Sequence, residues 1–204
     1  MPGMEDKPME ARYEFRVFGA ELGNLHSALR SAFALAGESS REDIYLLGNS
    51  AAHMFKLRGG TALDLKCLVE RRGAFQRWSP AGLVDLPASG RELADMFGGQ
   101  GAAPSFDAGR MYDPRAVIAA FTDNGHCAVR VAKRRWQYEA TCGKAEFAIL
   151  TIGQSGTTDT VALEGQDADA LEELRIRLGL KRYGNSSYFQ FLTGEAPSSW
   201  QASW

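Results

Sequence analysis

Hydrophobic and polar positions alternate with period two along much of the chain, most clearly over Met54–Cys67. Phe55 and Leu57 alternate with Lys56 and Arg58. Beyond Gly59-Gly60, Leu63, Leu65 and Cys67 alternate with Asp64 and Lys66. Such a pattern predicts an antiparallel hairpin with one apolar and one charged face. Parity selects its turn. A two-residue loop at Gly59-Gly60 would set Lys56 against Leu63 and mix the faces. A three-residue loop, Gly59-Gly60-Thr61, sets Leu57 against Leu63, Phe55 against Leu65 and Lys56 against Asp64, and is the one expected. Taken alone, the cationic face suits solvent as well as it suits a site.

Other segments repeat the pattern. A strand over Ala11–Phe18 puts Tyr13, Phe15 and Val17 on one face and Arg12, Glu14 and Arg16 on the other. A helix is predicted over Leu22–Leu35, stopped by Ala36-Gly37, with Ser39-Ser40 as a loop. Arg41–Leu47 reads as a strand with Ile44 opposed to Asp43 and Tyr45. After the hairpin, the strand ending at Cys67 extends through Leu68-Val69, Glu70–Gly73 turns, and Ala74–Trp78 is a short strand. From Ser79 to Pro114 the pattern fades among four prolines, apart from a short helix over Gly90–Phe97. Gly98–Gly101 and its surroundings read as a loop. Arg115–Phe121 fits helix or strand. Cys127–Tyr138 is a long strand whose alternation breaks near Ala132, which suggests a bulge. Lys144–Ile152 and Thr160–Glu164 are strands. Asp167 caps a helix over Ala168–Leu178 that Gly179 ends, and Ser187–Leu192 is a last helix or turn.

Length and composition narrow the class. At 204 residues with 45% hydrophobic content, the chain can bury one core. The expected organisation is a flexible N-terminus at 1–10, one domain over 11–192 with a loop and helix insertion at 79–114, and a tail at 193–204. The 23 basic and 25 acidic residues nearly balance, so a bulk electrostatic grip on nucleic acid is not expected, although a local basic cavity is compatible. Three scattered cysteines suit a reducing compartment. The polar N-terminus and the lack of a long apolar run lead to the expectation of a soluble, cytoplasmic protein with no membrane partner. Gly98–Gly101 lacks the Lys-Ser/Thr of a phosphate loop, and His26, His53 and His126 have no metal-ligand spacing.

One arrangement accommodates several strands that each carry an apolar and a charged face. They curl into an antiparallel barrel of α+β class with a charged interior, and helices cover its apolar outside. Cations crowded in a partly dry lumen repel one another. Such a lumen makes sense if it receives a polyanion, and its few carboxylates could hold a hard divalent ion.

In this order the residues resemble the CYTH superfamily, the triphosphate tunnel metalloenzymes, which includes class IV adenylyl cyclases, thiamine triphosphatases and inorganic triphosphatases. The likeness runs from Ala11 to Leu192. Arg12-Tyr13-Glu14-Phe15-Arg16 stands where that family has Glu-x-Glu-x-Lys, and Asp43-Ile44-Tyr45 where it has Asp-x-Tyr. Lys56-Leu57-Arg58 with Leu63–Lys66 resembles its basic hairpin, and Lys133-Arg134-Arg135 its Lys-x-Arg strand. Glu146 stands for a later acidic residue, Ala162-Leu163-Glu164 for Glu-x-Glu, and Ser187-Tyr188 for a terminal Ser-Tyr pair.

The resemblance implies a tunnel that binds a triphosphate-containing small molecule or short polyphosphate and hydrolyses it with Mg or Mn. Arg16, Lys56, Arg58, Lys66, Lys133 and Arg135 would hold phosphates. Glu14 and Glu164 would be catalytic and, with Glu146, would hold the metal. Arg12, Arg16 and Ala162 depart from the pattern: acidic residues are thinned while cations are kept, and fewer oxygen ligands weaken divalent binding. Two alternatives follow, a non-catalytic polyphosphate or nucleotide binder and, behind it, an adenylyl cyclase. Self-association as a homodimer is left open.

Overall fold

The computed structural model describes residues 10–98 and 103–195. Most of the N-terminal segment expected over 1–10, of the tail over 193–204 and of the glycine-rich loop at 98–101 lies outside them. The elements are β1 (Arg12–Gly19), α1 (Gly23–Ala32), β2 (Ala34–Leu47), β3 (His53–Arg58), β4 (Ala62–Arg72), β5 (Phe75–Asp85), β6 (Ala88–Ser89), α2 (Gly90–Phe97), β7 (Met111–Tyr112), α3 (Pro114–Asp123), β8 (Cys127–Ala140), β9 (Gly143–Ile152), β10 (Thr157–Gly165), α4 (Ala168–Arg177) and α5 (Tyr188–Leu192). Eight of the strands close into an antiparallel barrel in the order β1-β10-β9-β8-β2-β3-β4-β5, and β6 pairs with β7 outside it.

The β3–β4 hairpin has the register that parity requires. Leu57 pairs with Leu63, Phe55 with Leu65 and Lys56 with Asp64. The turn is made where Gly59 and Gly60 adopt φ of 61° and 73°, a region that glycine enters without steric penalty. Outward-facing Phe55, Leu57, Leu63 and Leu65 pack with Leu93 and Phe97 of α2 and Val117 and Phe121 of α3. Each such buried side chain contributes about 2 kcal/mol from area alone. On the opposite outer wall, Phe15 and Val17 of β1 and Val161 and Leu163 of β10 pack under Leu25 and Leu29 of α1 and Leu171 and Leu174 of α4. His26 sits in this layer, stacked on Phe147 at 4.1 Å and hydrogen-bonded to the Tyr138 hydroxyl at 2.8 Å. α2 starts at a Ser89–Glu92 capping box, and the Asp167 carboxylate accepts from the amides of Asp169 and Ala170 to start α4.

Four expectations are corrected. The first helix ends at Ala32, and residues expected as its last turn and a loop form the start of β2, a 14-residue strand. Pairing with β8 overrides local helix preference there: Glu38 faces Trp136 and Ser40 faces Arg134, with one bulge between Leu35 and Gly37. β4 runs through Arg72, past the expected turn. β5 continues through Pro80 to Asp85, into the expected insertion. The proline is tolerated because β1 pairs with β5 only as far as Trp78, and the β4–β5 register shifts beside Pro80. Finally, β8 has no bulge at Ala132; its register with β2 and β9 is continuous there.

Continuity in β8 puts Val131, Lys133 and Arg135 on one inward face. The same succession occurs in β1 with Arg16 and Phe18, in β2 with Asp43, Tyr45 and Leu47, and in β9 with Glu146, Ala148 and Leu150. The interior is therefore charged in one half and apolar in the other. In the apolar half, Phe18, Leu47, Val131 and Leu150 pack with Tyr188 and Phe189 of α5. The lumen is a cup with an apolar floor, and α5 enters the barrel end, unlike the helices on the outside. Among the described residues no helix is long and apolar enough to cross a membrane.

Candidate functional site

The charged half of the lumen is a cavity of about 280 Å³. This lies just below the range of roughly 300–1,000 Å³ usual for small-molecule sites, so it suits a compact ligand. Among the described residues nine basic side chains and five carboxylates line it. The six cations expected to hold phosphate, Arg16, Lys56, Arg58, Lys66, Lys133 and Arg135, are all among them. Arg12, Arg41 and Lys144 are the other three. Arg130 and Arg134 lie outside the barrel and pair with Glu42 and Glu38.

Two networks organise the walls. The first surrounds Arg16 on β1. Its Nε donates to Glu14 Oε1 at 2.7 Å, and its terminal nitrogens lie 3.3 Å from Glu146 Oε1 and 3.7 Å from Glu164 Oε1. Arg135 grips the second oxygen of Glu146 through Nε at 2.9 Å and through Nη2. The sheet register explains this convergence. Ala162 lies between Arg16 on β1 and Glu146 on β9, and its methyl leaves the space through which the guanidinium reaches across. Glu14 and Glu164 face each other directly across β1 and β10. Burial opposes ionisation of Glu14, but Arg16 and then Lys66 outweigh it and hold the carboxyl below its ordinary value. Burial likewise opposes ionisation of Glu146, and Arg16 and Arg135 reverse it. Glu164 moves the other way: burial and the facing Glu14 raise it.

The second network surrounds Asp43 on β2, which is fully buried. Lys133 Nζ donates to Asp43 Oδ2 at 2.9 Å and to the Tyr45 hydroxyl at 2.7 Å. Arg41 approaches at 2.8 Å, Lys56 at 4.0 Å, and the Gly59 amide donates to Oδ1 at 3.3 Å. Burial would raise the Asp43 carboxyl, yet Lys133 and Lys56 overcome it and bring the pKa down to about 2. Lys133 shows the converse. Burial, reinforced by Lys56 and Arg16, outweighs its bond to Asp43 and lowers it to about 7. A stabilised carboxylate beside a destabilised ammonium is what surplus positive charge in a poorly hydrated space produces. Farther up the wall, Lys56 also meets Asp64 at 3.4 Å. Arg12, Arg58, Lys66 and Lys144 line the cavity without forming a salt bridge among the described residues.

The structure thus brings Glu14, Glu146 and Glu164 to one place, but their oxygens converge on the Arg16 guanidinium. Among the described residues no group of three or more His, Cys, Asp or Glu side chains is arranged to hold a metal ion. As arranged, these carboxylates are engaged by Arg16 and Arg135, which leaves fewer free oxygens for a hard divalent ion. Sequence reasoning missed Arg41 and the floor. Arg41 was hidden because residues before it read as a loop. Tyr188 was matched to the family's terminal Ser-Tyr pair, but its place in the floor was not legible, because a five-residue helix carries no sign of entering a barrel.

No family model matches the chain, and no curated protein matches it in sequence. Solved structures do resemble it. The PH1012 protein from Pyrococcus horikoshii OT3 superimposes over 87% of this chain and 98% of its own, with a TM-score of 0.50 and 16% identity. A "putative adenylate cyclase" from Bacillus halodurans aligns over 87% of this chain and 96% of its own, with a TM-score of 0.47 and 11% identity. The first likeness shows a shared barrel fold.

Proposed function

We propose that this chain is a CYTH-like barrel whose cationic cup binds a compact polyanion of the triphosphate or short-polyphosphate class. The observation that carries this reading is the surplus positive charge. Nine basic side chains stand against five lining carboxylates and the buried Asp43 behind them, and a buried lysine is pushed toward neutrality among them. Such crowding is costly unless an anion compensates it.

In this reading Arg58, Lys66 and Arg12 meet the ligand near the mouth, Lys56 and Arg135 along the wall, and Arg16 and Lys133 near the floor. Guanidinium forks suit paired phosphoryl oxygens, and lysines act as point charges. In this reading binding needs no divalent ion, because Arg16 and Arg135 already engage the glutamates that a metal would use. Isothermal titration of the protein with inorganic tripolyphosphate, in chelator and then in Mg or Mn, tests this. Binding in chelator that weakens with added salt is expected. Binding that appears only with the metal would overturn it.

A second reading, hydrolysis, is favoured by Glu164. Its carboxyl is raised, partly exposed, and 3.7 Å from its nearest cation. A carboxylate so placed is a candidate general base for a water attacking a bound phosphoryl group, with Glu14 keeping Arg16 oriented. Phosphate release from tripolyphosphate and ATP that is lost in Glu164→Gln would establish it. Cyclisation of ATP ranks behind both, since the cavity offers no feature dedicated to a base.

A further inference from the structure

The cup has a floor, and the floor carries a polar atom that the fold leaves without a partner. Tyr45, Met54, Trp78 and Tyr188 form the bottom of the cavity. Beneath them, Phe18, Leu47, Val131, Ala148, Leu150 and Phe189 fill the barrel. The seal is fastened rather than resting in place. The Asn185 side chain accepts from the Arg16 amide at 2.8 Å and donates to the carbonyls of Glu14 and Ala74 at 3.0 and 2.9 Å. Gln76 donates to Gln190 at 3.0 Å.

Tyr188 stacks on Tyr45 at 4.8 Å and meets Phe18 edge-on at 5.1 Å. Lys133 Nζ lies 4.1 Å and the Arg16 guanidinium 4.9 Å from its ring centre. The residue is 6% exposed, and among the described residues its hydroxyl makes no hydrogen bond. An unsatisfied buried hydroxyl is destabilising, and a persistent one calls for an explanation. Burial also pushes this phenol well above its ordinary pKa, so it keeps its proton and can donate.

We propose that the cup takes a phosphate chain end-on, and that the Tyr188 hydroxyl donates to the free terminal phosphoryl group that reaches the floor. This rests on the reading of the cup as a triphosphate-class site and adds the part of the ligand that it recognises. A terminal phosphoryl group presents three non-bridging oxygens and the highest local charge, matching the Tyr188 donor beside Lys133 and Arg16. An internal phosphoryl group presents two such oxygens and continues in both directions, which a sealed floor does not allow. A chain esterified at both ends would have to press its organic group onto the floor.

The test compares tripolyphosphate, with two free ends; ATP, with one; and diadenosine pentaphosphate, with a long anionic chain and none. Each is titrated into wild type and into Tyr188→Phe, which keeps the ring and its stacking. Wild type is expected to bind the first two and to bind the capped chain at least about tenfold more weakly. In Tyr188→Phe, tripolyphosphate affinity is expected to fall about tenfold, the ordinary effect of one hydrogen bond to a charged group, while the melting temperature holds or rises. A merely structural tyrosine would leave affinity unchanged. Equal binding of capped and free-ended chains, or an unchanged affinity in Tyr188→Phe, overturns the inference while leaving the triphosphate reading standing. Absence of binding by any free-ended chain overturns both.

Discussion

Lys133 makes anion binding depend on pH in a calculable way. In the ligand-free cup it titrates at about 7. The groups facing it are Lys56, Asp43, Arg16, Glu146, Tyr45 and Tyr188, and Arg16 and Arg135 hold Glu146 ionised. Asp43, at about 2, stays ionised across the neutral range. Burial raises both tyrosines, and the glutamates around Arg16 raise it above its already high value, so these keep their protons. Lys56 is itself lowered by burial and adds in the same direction. A polyanion against Lys133 returns it toward the ordinary lysine value near 10.4. At pH 7.5 the free side chain is about one-quarter protonated and the bound one fully so, giving uptake of about 0.75 proton per ligand. Between pH 7 and pH 9 affinity then falls about fifty-fold, or about 2 kcal/mol. Titration of tripolyphosphate in buffers of different ionisation enthalpy reads both quantities. The ligand's own phosphate, with a second pKa of about 6, would release protons under the same cations, so the two sources differ in sign. Net release, or an affinity flat from pH 7 to pH 9, would rule out a Lys133 that charges on binding.

Three further outcomes are expected. Lys133→Met should stabilise the ligand-free protein at pH 7: removing the depressed ammonium gains up to about 4 kcal/mol, and losing a partner of Asp43 returns about 2. The net should appear as a melting temperature about 5 °C higher alongside lost tripolyphosphate binding; a lower melting temperature would contradict the surplus-charge account. Asp43→Asn should cost about 2 kcal/mol at neutral pH, measured by urea unfolding. Because the Asp43 pKa is depressed on folding, its contribution is present above about pH 4 and lost as pH falls toward 2, so the variant's stability should change less across that window. Asn185→Ala leaves the Arg16 amide and two carbonyls without their partner and should cost about 3 kcal/mol by chemical denaturation; a loss below about 0.5 kcal/mol would show that the clamp is idle.

Much of the barrel is legible in the sequence because strand parity is strict. A one-residue slip in the β3–β4 hairpin would turn Lys56 into the apolar layer under α2 and α3 and Leu57 into the charged cavity, so alternation and loop length fix the register together. Parity misled where the environment of one face changes along a strand. In β8 the inward face passes from Val131 to Lys133 as the lumen passes from floor to cavity, and unchanged geometry looks like a bulge. The start of β2 reads as helix and loop because its strand character comes from β8, a partner far along the chain. The cations were legible as inward-facing, but their pairing was not. That Arg16 gathers Glu14, Glu146 and Glu164 depends on Ala162 lying beside it in register, a relation among three strands that no local pattern contains.

The seam between β1 and β5 bears on how this barrel is made. The two strands share only a short stretch of pairing, from Arg12 to Glu14, and beyond it the β1 backbone bonds to Asn185 and to the Ser186 amide. The first strand thus finds its partners at the far end of the chain: Tyr13 beside Gly165, and Arg16 beside residues that follow α4. Contacts of such sequence separation slow folding, because loop closure precedes any reward. The ring can close only after β10 has emerged from the ribosome, and the cup acquires its floor only after the segment carrying Asn185 and Tyr188 has followed. Until then the edges of β1 and β5 stand open, and an early folding species is most exposed to mispairing there.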